Sequence, residues 1–195
     1  MTAFFYLSIM KSILTVCSLL LVASAAAQTD VTLFDRHIDA QGAHIVEEFV
    51  SLLKIPNVAY DLPNINKNAQ YIMGELTDRG VSTQLLEHPD TPPIVYGYLA
   101  SKKATRTLAF YIHYDGQPVD KTRWKHDPWT PKMYDKSLAE GGVEIPFPKE
   151  GEKIDPVSRI YARSAGDDKG PIIGILAAID AMQAAGVEPT SNFVF

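Results

Sequence analysis

Two short stretches hold residues whose types and spacing could do chemistry. The first is Phe110-Tyr111-Ile112-His113-Tyr114-Asp115-Gly116-Gln117-Pro118. His113 and Asp115 stand two residues apart, so an extended backbone sets both on one face. They fall where an apolar strand runs out, the end at which open α/β sheets bind ligands. A neutral imidazole there can ligate a metal ion. The plainer alternative, and the stronger one for this stretch alone, is a hydrogen-bonded pair that closes a turn. The second stretch, Ile160-Tyr161-Ala162-Arg163-Ser164-Ala165-Gly166-Asp167-Asp168-Lys169-Gly170-Pro171, sets two carboxylates between a strand and an apolar helix. One aspartate suffices to satisfy the orphan N–H groups of a helix start. The second asks for another reason. A carboxylate can bridge two cations with its two oxygens, as in sites that hold paired metals about 3.5–4 Å apart. Taken alone, this stretch favours capping. A phosphate loop is excluded, because its glycine and lysine spacing is absent and two carboxylates would repel phosphate.

The elements around these stretches must position them. Phe34, Ile38, Ile45, Phe49, Leu52 and Leu53 recur at helical spacing, so a helix is expected from Leu33 to Leu53, stopped by Pro56. Asn64 to Asn66 offers caps for a second helix, with Ala69, Ile72, Met73 and Leu76 on one face and Gly80 as its exit. Strands are expected at 81–86, 94–99 and 107–114, the last apolar on both faces as a central strand would be. From Gly116 to Ser158 periodicity disappears. Runs of this kind within a compact domain are commonly functional or disordered, and Trp124 and Trp129 argue against disorder. A short strand at 159–163 leads to the Asp167 turn. A third helix follows, with Ile172, Ile175, Leu176, Ile179 and Met182 as its stripe, and a strand begins at Asn192. Alternating strands and helices imply an α/β domain whose largely parallel sheet is sandwiched by helices. Stopping inside an apolar strand leaves backbone groups without neighbours, so the chain reads as a piece of a longer domain.

Composition bounds the function. The 195 residues carry 18 basic and 23 acidic side chains, a net charge of −5, which excludes the basic surface that nucleic-acid binding needs. Residues 1–27 hold one charge, Lys11, followed by an apolar run from Ile13 to Val22 and the small residues Ser24, Ala25, Ala26 and Ala27. That pattern is a secretory signal peptide with cleavage expected after Ala27. Its apolar run is too short to span a membrane, so no membrane contact is expected after cleavage. The protein is expected to be secreted or periplasmic. The single cysteine, Cys17, lies in that leader, so the mature chain has no thiol and any metal must be held by His, Asp or Glu.

Together the two stretches resemble the M20 metallopeptidases. A His-x-Asp at one strand end, a Pro- and Trp-rich loop, then a strand ending in Gly-Asp-Asp-Lys-Gly carry the likeness, which extends from about Leu33 to Phe195. It includes Lys54-Ile55-Pro56-Asn57-Val58 and, in the loop, Trp124, Asp127, Pro128, Trp129 and Pro131. Gln117-Pro118 after the His-x-Asp looks closest to the dipeptidase-like branch.

The resemblance implies a three-layer α/β/α sandwich with a largely parallel mixed sheet, of the dinuclear-zinc peptidase type and truncated. Residues 28–195 would form the N-terminal part of the catalytic domain. The remainder of that domain, with its general base and further ligands, and a lid domain that supports homodimerisation would be absent. His113 would ligate one metal and Asp167 would bridge two zinc ions, or other divalent ions. Asp115 would act beside them as the acid that orients the general base. The peptide between Asp167 and Asp168 is expected to be cis. Lys169 and Gly170 would shape the turn into the helix. Trp124, His126 and Trp129 stand in a loop that could meet a small peptide substrate, although His126, like His37, His44 and His88, is more simply a surface or packing residue. Arg163 reads as structural. The implied activity is exopeptidase hydrolysis of an amide bond, by a dipeptidase or carboxypeptidase, with negligible activity from this chain by itself. The alternatives are an amidase or deacylase of the same fold, and a non-catalytic remnant.

Overall fold

The computed structural model describes residues 31–89 and 91–195. The expected leader, residues 1–27, lies outside the described residues. The chain divides into two compact units, residues 1–33 and 34–195. Of the first, only residues 31–33 are described, as the opening turn of helix α1 (Val31–Leu53).

In the second unit α1 buries Val50, Leu52 and Leu53 near its C-terminal end. Helix α2 (Leu62–Asp78) starts earlier than Asn64–Asn66 would place it. Asp61 is the cap: its carboxylate accepts from the Asn64 backbone N at 3.4 Å and from Asn64 Nδ2 at 2.7 Å. Pro63 is tolerated in the first turn, where its missing N–H has no intrahelical partner to lose. Gly80, at φ +77°, makes the expected left-handed exit.

The main sheet has the order β1-β2-β7-β3, with β1 Ser82–His88, β2 Thr91–Leu99, β3 Arg106–Ala109 and β7 Ser191–Val194. It is mixed, as expected, but only β3–β7 is parallel; β1–β2 and β2–β7 are antiparallel. The tight connection between β1 and β2 allows no other pairing, because parallel neighbours need a long crossover. The third strand is also shorter and more exposed than its apolar sequence suggests. Among the described residues it pairs with β7 alone, at the edge of the sheet, and residues 110–114 run on past the paired part.

One cluster forms the core. Leu52 from α1, Ile72 and Leu76 from α2, and Ile172, Ile173, Leu176 and Ile179 from α3 (Gly170–Ala184) pack on Val95 and Leu99 of β2 and on Ile112, Tyr114 and Phe195. All three helices therefore cover one face, and two of the three expected layers are seen among the described residues. On the other face Ile94 and Tyr96 stay 63% and 37% exposed. Each fully buried leucine contributes roughly 1.5–3 kcal/mol, and Leu52 and Leu176 of this cluster are fully buried. No helix among the described residues is long and apolar enough to cross a membrane.

The aperiodic run is not structureless. It holds two 3₁₀ turns, Lys121–Arg123 and Leu138–Glu140, and an antiparallel sheet of order β5-β4-β6. Its strands β4 (Lys132–Tyr134), β5 (Glu144–Ile145) and β6 (Arg159–Tyr161) are two or three residues long, too short to display an alternation. Met133 and Tyr134 are buried there, and Tyr134 meets Tyr161 edge-on at 5.4 Å.

Candidate metal centre

The two stretches converge. His113 Nε2 lies 2.8 Å from Asp167 Oδ1, across 54 residues of sequence. The other ring nitrogen, Nδ1, lies 3.0 Å from the Asp115 backbone carbonyl and 3.1 Å from Asp115 Oδ1. His113 and Asp115 thus do bond to one another, as the plainer alternative had it, while the opposite edge of the ring reaches Asp167. Burial pulls the His113 pKa down, but the Asp115 carbonyl and the Asp167 and Asp115 carboxylates outweigh it and raise the pKa above 6.5. The site is open: side-chain exposure is 39% for His113 and 84% for Asp167.

The capping alternative gives way here. Lys169 occupies the cap position of α3, and no side-chain capping bond is made there. Asp167 and Asp168 have non-helical dihedrals, and the peptide between them is cis. Asp167 is turned toward His113 instead of toward the helix N–H groups.

Three segments hold this geometry. Past β3, the backbone N of Phe110 still donates to Val194 O at 2.8 Å. Ile112 and Tyr114 then anchor the strand by packing on the core, and the Tyr114 hydroxyl donates to Pro93 O. From the other side, β6 leads into Ser164, whose φ of +63° is left-handed. That conformation costs a non-glycine residue about 1–2 kcal/mol, so its neighbours must hold it. The loop after α1 touches both segments. Asn57, fully buried, donates from Nδ2 to Tyr114 O at 2.8 Å and to Ser164 Oγ at 3.0 Å. The Gly116 backbone N donates to Asn57 O at 2.6 Å, and Ala59 N returns a bond to Gly116 O at 3.0 Å. A Cβ on Gly116 would stand 2.7 Å from Ser164 Oγ, so glycine is what allows this approach. Lys169, fully buried, donates from Nζ to Leu52 O at 2.8 Å and Ile55 O at 2.7 Å. Burial pushes its pKa down to about 7. The two carbonyls, at the negative end of α1, favour the charged form.

Of the residues expected to matter, His113, Asp115 and Asp167 come together. Trp124, His126 and Trp129 make no hydrogen bond or ring contact with them among the described residues. They form their own group. Trp124 meets His126 edge-on at 6.3 Å, Lys121 lies over Trp129 at 5.5 Å, and Lys121 pairs with Asp127 at 3.0 Å. Its link to the site is indirect, through Arg163 N donating to Pro128 O at 2.7 Å. An apolar cleft of about 540 Å³ runs beside the site, lined by Pro93, Val95, Ile112 and Phe195, with His113 and Asp115 also on its wall. Asn57, Gly116 and Ser164 were not picked out by sequence reasoning for this role. The available signal was a polar residue placed directly after Pro56 in a short interhelix loop.

The pair fits a divalent cation as far as it goes. Imidazole nitrogen and carboxylate oxygen suit zinc and similar ions. A carboxylate behind the ligating histidine, as Asp115 stands behind Nδ1, is the usual support for such a ring. Among the described residues no group of three His, Cys, Asp or Glu side chains is arranged to hold an ion, whereas a tight zinc site takes three or four ligands. The residues present supply part of a site.

No protein-family model matches the chain. It is 30% identical over 178 residues to the Cys-Gly metallodipeptidase DUG1 of Candida albicans, covering 83% of this chain and 32% of that protein. Its fold superposes on the di-peptidase Dug1p of Saccharomyces cerevisiae with a TM-score of 0.64 at 22% identity, covering 85% of this chain and 33% of the other. It also superposes on an M20 family metallo-carboxypeptidase of Sulfolobus solfataricus, Sso-CP2, with a TM-score of 0.58 at 28% identity, covering 77% of this chain and 29% of that one. The chain spans about one third of the length of these relatives. Sequence likeness over four-fifths of its residues, joined to a shared fold, makes the chain similar to these metallodipeptidases and to the M20 carboxypeptidase.

Proposed function

We propose that the full-length protein hydrolyses the amide bond of short peptides, as a dipeptidase or carboxypeptidase, using divalent ions held in part by His113 and Asp167. The observation that carries this reading is the 2.8 Å approach of His113 Nε2 to Asp167 Oδ1 from two separate segments. The metallodipeptidase and carboxypeptidase names of the relatives support it. When bound, such ions supply Lewis-acid activation of water and of the scissile carbonyl. The chain's own residues have separate tasks. Asp115 fixes the His113 ring so that Nε2 faces the site. Asp167 offers Oδ1 beside His113 and keeps its second oxygen for a neighbouring ion. The finer reading is two zinc ions, with Asp167 between them. Homodimerisation, export to a secreted or periplasmic location, and removal of residues 1–27 complete the proposal.

The test is a hydrolysis panel of dipeptides and N-acyl amino acids with the full-length protein, with and without a chelator. Dipeptide cleavage that chelation removes and zinc restores is the expected result. Cleavage of N-acyl amino acids alone would favour the amidase or deacylase reading. No turnover by metal-loaded protein on any substrate would leave the non-catalytic reading in its place. N-terminal sequencing of exported protein should begin at Gln28; an intact Met1 would remove the leader assignment.

A further inference from the structure

We propose that Asn57 is a positioning residue of this site: its buried amide sets the separation of His113 and Asp167 by bonding to both segments that carry them. The inference rests on the metal-site reading given above and assigns the site a support that touches neither substrate nor ion.

Distance along the chain makes the argument. His113 comes from the segment that runs on past β3, and Asp167 from the turn before α3. Their side chains touch at 2.8 Å, but a single contact between exposed groups cannot hold two backbones in place. Something buried must fix the spacing. The bridge between Val58 and Gly116 lays the loop after α1 alongside the His113 segment. Asn57 Nδ2 binds the carbonyl of Tyr114, the residue between His113 and Asp115. The same amide faces the Ser164 hydroxyl through both of its atoms, Nδ2 at 3.0 Å and Oδ1 at 3.2 Å. Ser164 is the left-handed residue at which the chain turns toward Asp167, and its carbonyl accepts from Lys169 N at 3.1 Å. Lys169 Nζ then ties the far side of the turn to Leu52 and Ile55, at the other end of the same loop.

The loop is therefore a bracket with two arms. One planar amide with its donors and acceptor satisfied is stiff, and a water in its place could not hold the same three directions. Alanine at position 57 leaves the Tyr114 carbonyl and the Ser164 hydroxyl without their buried partner, so each segment is free to relax toward its own minimum.

The experiment compares the full-length protein with its Asn57→Ala, Ser164→Ala and Leu176→Ala variants. Metal-free crystal structures measure the His113 Nε2–Asp167 Oδ1 separation, and cobalt affinity is measured by competition with a chromogenic chelator. Removing the support of a metal ligand typically weakens binding roughly 10–100-fold. Asn57→Ala is expected to lengthen the separation beyond hydrogen-bonding distance and to weaken cobalt binding at least about 10-fold. Ser164→Ala, which removes one arm, should give a smaller change of the same kind. Leu176→Ala, a core truncation, should lower Tm while leaving separation and affinity as in the parent. An unchanged separation in Asn57→Ala, or an equal change in Leu176→Ala, overturns the proposal. If Asn57→Ala does not fold, Ser164→Ala decides the matter by the same two measurements. If the parent binds no cobalt, the metal-site reading fails, and the metal-free separations still judge Asn57.

Discussion

Two clusters of carboxylates in this molecule surround a cationic or protonatable side chain, and they behave oppositely. Around Arg79, Glu48 from α1, Glu75 from α2 and Asp180 from α3 lie 2.6–2.8 Å from the guanidinium, whose side chain is 8% exposed. Burial works against the Arg79 charge, but the three carboxylates hold it, and its pKa is raised. Around His113, Asp115 and Asp167 make comparably short contacts, yet Asp167 is 84% exposed and meets the ring through Oδ1. The first cluster joins three helices around a buried guanidinium, with Glu75 and Asp180 partly exposed. The second joins two internal segments, one past β3 and one before α3, and is exposed. Similar chemical groups serve cohesion where they close on a buried guanidinium, although Glu48 Oε2 is left without a partner there, and can serve binding where they are exposed.

The sharpest break of this comparison exchanges the two effects. Asp167→Ala in the full-length protein is expected to lower metal-dependent turnover by at least about 10³-fold, the loss typical when a group that stabilises the transition state is removed. It should leave Tm nearly unchanged, because the side chain is exposed. Arg79→Met should do the reverse, destabilising the fold by about 3–5 kcal/mol through unpaired buried carboxylates. Denaturant unfolding and steady-state kinetics on the same preparations check both. Retained turnover in Asp167→Ala would end the ligand assignment.

Smaller effects refine it. Asp115→Asn should cut turnover roughly 10–100-fold while most metal remains bound, since it alters the support of the ring and keeps the ligand. Metal content by atomic spectroscopy separates the two, and metal loss with unchanged turnover per bound ion would contradict that role. Gly116→Ala should cost about 1–3 kcal/mol from overpacking against Ser164 and Asn57, with weaker metal binding as well. Thermal unfolding and ion titration read the two effects.

The smallest effect is on pH dependence. The His113 pKa is raised in the folded chain, so its protonated form contributes stability in metal-free protein that is fully present below 6.5 and lost as pH rises through the raised value. Metal binding needs the neutral ring, so ion affinity should climb across the same window. Asp167→Asn should move the His113 titration, followed by NMR, back toward 6.5; no movement would remove the Asp167 carboxylate as a cause of the shift.

Much of the fold was legible because strong signals are local. The stripes Ile172, Leu176 and Ile179 and Ile72 and Leu76 belong to helices long enough to repeat a period several times. Gly80 marked a helix exit because a left-handed residue favours glycine wherever it occurs. The small sheet was illegible, since strands of two and three residues repeat nothing. The Asp61 cap was missed because two asparagines, Asn64 and Asn66, followed it as candidates. β3 was read as central from its apolar residues, and a strand's place depends on what pairs with it; among the described residues that is β7.

The sequence by itself determined which groups could do chemistry: a histidine and an aspartate two residues apart at a strand end, and paired aspartates before an apolar helix. Residue type and short-range spacing suffice for that, because period and backbone geometry are local. Only the tertiary structure decided that His113 Nε2 faces Asp167 and that neither aspartate caps α3. It alone also placed the buried Asn57 against both segments. Those facts depend on contacts across 54 and 107 residues. Such contacts arise when the core closes, and no local pattern encodes them.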